Sequence, residues 1–293
     1  MAGTKKLTAG TVILYIITAL VAAAVVLPIL LMVIVSFTDE QAIVQNGYSF
    51  FPDKVSLEAY RMLFKQGASV LRCYFNSVLI TVVGTLMAVG ITSMASYSLV
   101  NPSVRYRNGI SMFFFITMVF NGGMVPWYMV CHKIGLTDNI WALLIPTLIF
   151  NPFNLFLVRN YMGSIPVELM ESAKLDGAND GQIAFKIYLP LCKPILATVA
   201  LFYGIGYWND WWNAIMLVND SKFYTIQYYL MKLKSDLNFM RNLQGAGIAH
   251  GAFAPSESLQ MATAVVTIGP IILLYPFLQK YIVKGLVIGG VKG

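Results

Sequence analysis

Charge is scarce in this chain of 293 residues. Only 11% are Asp, Glu, Lys or Arg, against about a quarter in soluble domains. A water-soluble domain of ordinary composition is excluded, and 58% hydrophobic residues place the chain in a bilayer. Acids are rarer than bases, 13 against 20, which leaves a net charge of +7. Those bases are scattered through polar loops with no aromatic-interleaved patch, so nucleic acid is not an expected partner. They read as topology signals and lipid-headgroup contacts. Histidine is limited to His132 and His250, far apart, and no His-Glu-x-x-His or carboxylate pair offers hydrolytic chemistry. No catalytic residue and no metal site are expected. Cys73, Cys131 and Cys192 are unevenly spaced and form neither a disulfide framework nor a Cys-x-x-Cys pair. A G-x-x-x-x-G-K-[ST] phosphate loop is missing too, so the chain is not expected to hydrolyse ATP.

Long apolar runs are abundant. Six, over about 12–37, 76–100, 110–131, 140–158, 195–218 and 261–279, approach or exceed the roughly 20 residues that cross a bilayer. Ala22, Ala23 and Ala24 could mimic a signal-peptide cleavage site, but the first run continues well past them, which favours an uncleaved anchor. The expected fold is all-α: a polytopic membrane protein with six transmembrane helices in a single domain, 1–293, and both termini on one side. Outer loops would cover 38–72 and 219–259. Ser56, Glu58 and Tyr60 predict a short helix that packs Leu57, Tyr60 and Phe64 onto the bundle. Small residues along the second run, among them Gly84, Ala88 and Gly90, suit close helix approach inside it.

Polar residues inside apolar runs are the candidates for a substrate pathway. Asn121, Gly122 and Gly123 interrupt the third run; freed backbone at membrane depth survives only against protein or a water-filled cavity. A helix that simply ends near the outer interface is the competing reading. Asn151 and Asn154, three apart, share a face of the fourth run. The fifth carries Trp208, Asn209, Asp210, Trp212 and Asn213, with Asp210 the only acid placed inside a span. Tryptophan faces beside amides suit a sugar's ring face and hydroxyls, while an interfacial aromatic belt explains the tryptophans equally well.

One polar stretch, Ile165 to Pro194, separates the fourth and fifth runs. Ser164 can cap a helix whose first turn holds Pro166, with Glu168 and Glu171 near the positive end of its dipole. The expected apolar stripe is Val167, Met170, Ala173 and Leu175. Gly177, Asn179 and Gly181 tolerate a left-handed backbone, and a second helix follows over Gln182 to Tyr188. The hairpin, 165–190, is thus helix, glycine turn, helix.

Glu171, Ser172 and Ala173, then Gly177, then Ile187, Leu189 and Pro190 resemble the cytoplasmic EAA signature of ABC-importer permeases. Ser172 stands where that family usually has Ala, a small-for-small change. The Asp176-Gly177-Ala178 triplet points to the maltose-type, carbohydrate-importing branch, and in particular to permeases associated with complex or uronate-containing oligosaccharides. The likeness extends to Asn121-Gly122-Gly123, Trp208-Asn209 and Gly289 to Gly293. It implies a bacterial cytoplasmic (inner) membrane protein, multi-pass, with N and C termini in the cytoplasm. Glu168, Glu171, Ser172, Ala173, Asp176, Gly177 and Ala178 would couple it to an ABC ATPase dimer. Further implied partners are a second, different permease subunit, an extracytoplasmic sugar-binding protein, the oligosaccharide and membrane lipid. The chain itself would hold no cofactor; ATP and Mg would be bound by the partner ATPase subunits. An ion-coupled secondary transporter is the alternative, because broken helices and an intramembrane Asp suit it too. It leaves the hairpin unexplained.

Overall fold

The computed structural model describes residues 9–65, 67–245 and 257–270. Among them the chain is helical, with one isolated antiparallel bridge between Thr38 and Val55. The described residues form two compact units, one of residues up to 67 with 232–270, the other of 68–231.

In the first unit, α1 (Ala9–Ser36) is a 28-residue helix with Pro28 inside it. At 1.5 Å per residue it reaches about 42 Å, longer than the hydrocarbon core of about 30 Å. Its side chains are exposed all round from Val12 to Leu30. Burial begins at Val35 and Ser36, where the Ser36 and Tyr60 hydroxyls meet at 2.8 Å and Phe37 stacks on Tyr60 at 4.8 Å. Asp39 caps α2 (Glu40–Asn46) by accepting the Gln41 N–H at 3.1 Å. Ser56 similarly accepts the Glu58 N–H at 3.2 Å as α3 (Glu58–Lys65) begins. That helix buries Ala59 and Leu63, not the expected Leu57 and Phe64, which are both more than half exposed. Leu57 precedes the first turn, and the 3.6-residue period turns Phe64 away from the buried 59/63 face. The last described helix, α15, covers 257–270. The Glu40 carboxylate accepts the N–H groups of Glu257 at 3.0 Å and Ser258 at 2.9 Å, and the Ser258 hydroxyl at 2.7 Å. The remainder of the sixth expected span, 271–279, and the glycine tail lie outside the described residues, as does 246–256 of the second outer loop.

In the second unit, α4 (Gly67–Val100) is a single helix of 34 residues that starts nine residues before the expected span. The Asn76 amide donates to the carbonyls of Lys222 at 2.8 Å and Tyr224 at 3.1 Å, and the Ser77 hydroxyl accepts the Ile226 N–H at 2.8 Å. These bonds seat the start of α14 (Ile226–Gly245) and the turn before it. Thr92 and Tyr203 share a buried hydroxyl pair at 2.7 Å.

Three expected spans are broken rather than continuous. The third is α5 (Arg107–Val119) and α6 (Met124–Lys133), bent by 117°. Gly123 takes φ +87 at the corner and its N–H bonds the Asn121 side chain at 2.8 Å, so the chain folds back instead of continuing. The fourth becomes α7 (Trp141–Leu144) and α8 (Pro152–Met162), interrupted at Pro146, at Thr147 with φ +64, and at the Asn151 cap. The fifth is α12 (Lys193–Trp208) and α13 (Trp212–Leu217), with Asn209 to Trp211 between them. Among the described residues, only α1 and α4 are long and apolar enough to cross a membrane as unbroken helices.

Candidate functional site

The polar stretch does fold as a hairpin. Its first helix, α9, runs Glu168–Leu175. It ends in a Schellman turn: the Gly177 N–H donates to Lys174 at 3.0 Å, the Ala178 N–H donates to Ala173 at 2.9 Å, and Gly177 sits at φ +83. Asn179 then opens α10 (Asp180–Ile183) through a capping box, accepting the Gln182 N–H at 2.8 Å while Gln182 accepts the Asn179 N–H at 3.0 Å. Asn179 is therefore a cap at φ −79 rather than a left-handed residue. A π-helical turn over Ala184–Tyr188 and α11 (Leu189–Leu191) lead into α12, which departs at 82°. Ser164 does not cap α9; its hydroxyl donates back to Tyr161 at 2.7 Å, and Val167 occupies the N-cap. Pro166 precedes the helix.

Met170, Ala173, Ile183, Ala184 and Tyr188 are buried, and Tyr188 meets Tyr97 edge-on at 5.2 Å. Lys174 ties the hairpin to the turn after α4 through Ser103 at 2.8 Å and bridges the hairpin's two helices through Asp180 at 3.5 Å, and the Asn101 amide reaches Asp180 at 3.1 Å. Of the coupling residues, Glu168, Glu171, Ser172, Asp176 and Gly177 are exposed, Ala178 is half-buried and Ala173 is buried. Val167 and Leu175 leave the expected stripe. Leu175 is 89% exposed, because two residues beyond Ala173 is about 200° around the helix. Leu169 and Phe185 are exposed as well, and stripe counting did not single them out. The signal was available: apolar residues between charged ones, on the face that ought to be polar.

The break in the fourth span and the flank of α12 enclose a cavity of about 320 Å³, lined by Thr147, Asn151, Phe153, Asn154, Phe202 and Tyr203 among others. Asn151 Oδ1 accepts the N–H groups of Phe153 at 2.9 Å and Asn154 at 3.4 Å, capping α8. The Asn151 N–H donates to the Tyr203 hydroxyl at 3.0 Å. Asn213 is fully buried and clamps the break from the other side: its amide donates to Asp210 at 2.8 Å, Thr147 Oγ1 at 3.1 Å and the Pro146 carbonyl at 3.3 Å. A β-branched residue at positive φ is costly, and this clamp holds Thr147 there.

The other predicted pathway residues lie elsewhere. Asn121 and Gly122 are exposed in the corner between α5 and α6. Asn209 is exposed, donating to Ile205 at 3.0 Å and accepting from Gln227 at 3.2 Å. Trp208 is buried with its ring 6.3 Å from Tyr74, and Trp212 lies edge-on to Trp211 at 5.7 Å. Asn209 and Asn213, like Trp208 and Trp212, are four apart and would share a face only on one continuous helix, and the helix breaks between them. Tyr203, missed in the sequence, joins the cavity because a tyrosine in an apolar run looks like any other core aromatic.

Two bonding sets set the geometry of the loops at the far ends of α6 and α13. The Asp138 N–H donates to Leu217 at 2.8 Å, and its carboxylate accepts the N–H groups of Asn219 and Asp220 and the Asn219 amide. The Asn219 N–H, followed by those other two donors, holds this carboxyl below its ordinary value of 3.8.

The sequence pattern of a family described as the binding-protein-dependent transport system inner membrane component matches residues 5–288. The chain belongs to that family. Among curated relatives, Protein LplC of Bacillus subtilis is 38% identical over 275 residues, which cover 93% of this chain and 91% of LplC. The polygalacturonan/rhamnogalacturonan transport system permease protein YtcP of the same organism is 37% identical over 270 residues, 92% of this chain and 93% of YtcP. A solved structure, that of a bacterial ABC transporter involved in the import of the acidic polysaccharide alginate, aligns with a TM-score of 0.80 at 31% identity, covering 96% of this chain and 99% of that one. Within this permease family, the hairpin and the broken spans are the two regions whose geometry calls for a functional account.

Proposed function

We propose that this permease forms half of the translocation pathway of an ATP-driven, binding-protein-dependent importer of acidic oligosaccharides, and couples that pathway to separate ATPase subunits. The observation that carries the coupling role is the exposed face of α9. Glu168, Glu171, Ser172, Leu175 and Asp176 are presented outward while Met170 and Ala173 are locked into the protein. A short, rigidly held helix with exposed apolar and acidic side chains suits a groove on a partner. ATP and Mg bound by an ATPase dimer would close it, and the hairpin would pass that motion to α12 through the 82° bend. The pathway would switch between inward-facing and outward-facing states as a population shift. Six spans with cytoplasmic termini belong to this reading; among the described residues, two unbroken helices and two bent pairs are long and apolar enough to supply up to four of them. A second permease would complete the pathway, and a sugar-binding protein would deliver substrate from outside.

The cavity between the broken fourth span and α12 supports a sugar route: Asn151, Asn154 and Tyr203 offer hydrogen-bonding groups, Phe153 and Phe202 offer ring faces. The acidic nature of the sugar rests on the relatives, whose names specify polygalacturonan, rhamnogalacturonan and alginate. The test is affinity purification through a tag on this chain with ATPase activity assayed in the eluate. A second permease and an ATPase should co-purify, and Glu171→Arg should release the ATPase. Elution of the wild-type chain alone, without ATPase, would sink the coupling role and bring ion-coupled transport forward.

A further inference from the structure

A second cavity, of about 570 Å³, lies beside the root of the hairpin, and its walls contain two arginines, Arg107 and Arg159, and no carboxylate. Both side chains are half-buried. Among the described residues neither makes an ion pair. One Arg107 N–H donates to the Val100 carbonyl at 3.2 Å, and Arg159 lies 5.9 Å above the Phe156 ring. A guanidinium has five N–H donors in a planar fork, so most of this donor capacity is unspent by those contacts. Two like charges converging on one half-buried space repel each other unless an anion lies between them. The amides of Asn108 and Asn160 and the hydroxyl of Ser164 add neutral polar groups to the same wall.

The position narrows the ligand. Leu99 and Val100 are the last residues of α4, Arg107 begins α5, and Arg159 lies in the last turn of α8. Apolar helices that end together mark the level of the headgroups, where basic pockets meet anionic lipid. Apolar lining by Val100, Ile165 and Met170 would accommodate the glycerol end of a chain-bearing ligand better than a bare ion.

We propose that this cavity binds a phosphate-bearing anion, and that the source is the phosphodiester headgroup of an anionic inner-leaflet lipid seated against the root of α9. The choice of leaflet rests on the importer reading of the hairpin as cytoplasmic; the binding chemistry does not. Ser164, Ile165, Val167 and Met170 line both the cavity and the approach to α9, so an occupied seat braces the helix that meets the ATPase.

The test uses the complete purified importer in nanodiscs of phosphatidylcholine with graded phosphatidylglycerol. Lipid retained after transfer to detergent is counted by native mass spectrometry. Wild type should retain phosphatidylglycerol at least tenfold over phosphatidylcholine, and Arg107→Gln with Arg159→Gln should abolish that preference. Asn160→Glu, at an exposed position on the wall, places a carboxylate there without emptying the core and should lower retention at an unchanged melting temperature. Displacement of the retained lipid by inorganic phosphate assigns the seat to phosphate as such, and resistance to it assigns the seat to the lipid. Equal retention by wild type and both variants overturns the proposal. Because retention is counted without reference to transport, loss of the ATPase with retention intact removes the importer reading alone.

Discussion

Gly177 sits at φ +83 with nothing within 4 Å of where a Cβ would point, so its requirement is backbone conformation and not space. An L-residue in that region costs about 1–2 kcal/mol. Gly177→Leu should therefore abolish substrate uptake while leaving membrane insertion intact, as read by paired transport and membrane-fraction blots; normal uptake would end the coupling role. Asn213 makes the opposite case, since its value lies in buried bonds. Asn213→Leu removes the side-chain donor shared by the Pro146 carbonyl, Thr147 Oγ1 and Asp210 Oδ2 in a fully buried place and should cost roughly 1–3 kcal/mol, measured as a lower melting temperature in detergent. Asp138 supplies a pH test. Its folded pKa lies below the ordinary 3.8, so its stabilising contribution is full above that value and is lost as pH falls through the lower folded one. The melting temperature should drop on acidification below about pH 4, and Asp138→Asn should flatten that drop. The types of these residues were legible early, but their partners were not: a carboxylate in a loop does not announce that N–H groups 81 and 82 residues further along will reach it.

At the scale of elements, α4 and α12 approach so closely that a Cβ on Gly84 would lie 2.5 Å from the Tyr207 ring. Tyr207 is buried and its hydroxyl donates to Leu144 at 2.8 Å, so the ring has no room to withdraw. Gly84→Ala should destabilise by about 1–3 kcal/mol through overpacking, seen as early thermal aggregation of the purified chain. A small-residue helix was legible as an inward one, because close packing selects such residues by composition. Where the helices break was legible only in part. Asn121-Gly122-Gly123 and Asn151-Pro152 were visible interruptions, yet the 117° fold-back after α5 depends on what α6 meets. The hairpin's exposed face yields its own prediction: Leu175→Glu should weaken ATPase retention without lowering the permease's own melting temperature, because Leu175 is 89% exposed and contributes no buried packing.

For the molecule as a whole, α1 presents apolar side chains on every side through Leu30, as expected of a helix whose neighbours are lipid or another chain. Expression without a partner permease should yield a chain that inserts but shows no ATP-dependent uptake, and co-expression should restore it. Composition determined the solvent: so few charges and so many apolar runs admit only a bilayer, whatever the packing. Local spacing determined the helix, glycine turn, helix order of the hairpin, since a Schellman glycine acts over a few bonds, and the Glu-Ser-Ala signature carried the resemblance to the family. Tertiary structure decided the rest. It placed Asn151 and Asn154 on a shared cavity, turned Asp210 and Asn213 into a clamp, and left Leu175 outward. It also brought Arg107 and Arg159 together from two sequence-distant helix ends. Those outcomes depend on which helix ends meet, and periodicity along one chain carries no information about the residues that a break will bring face to face.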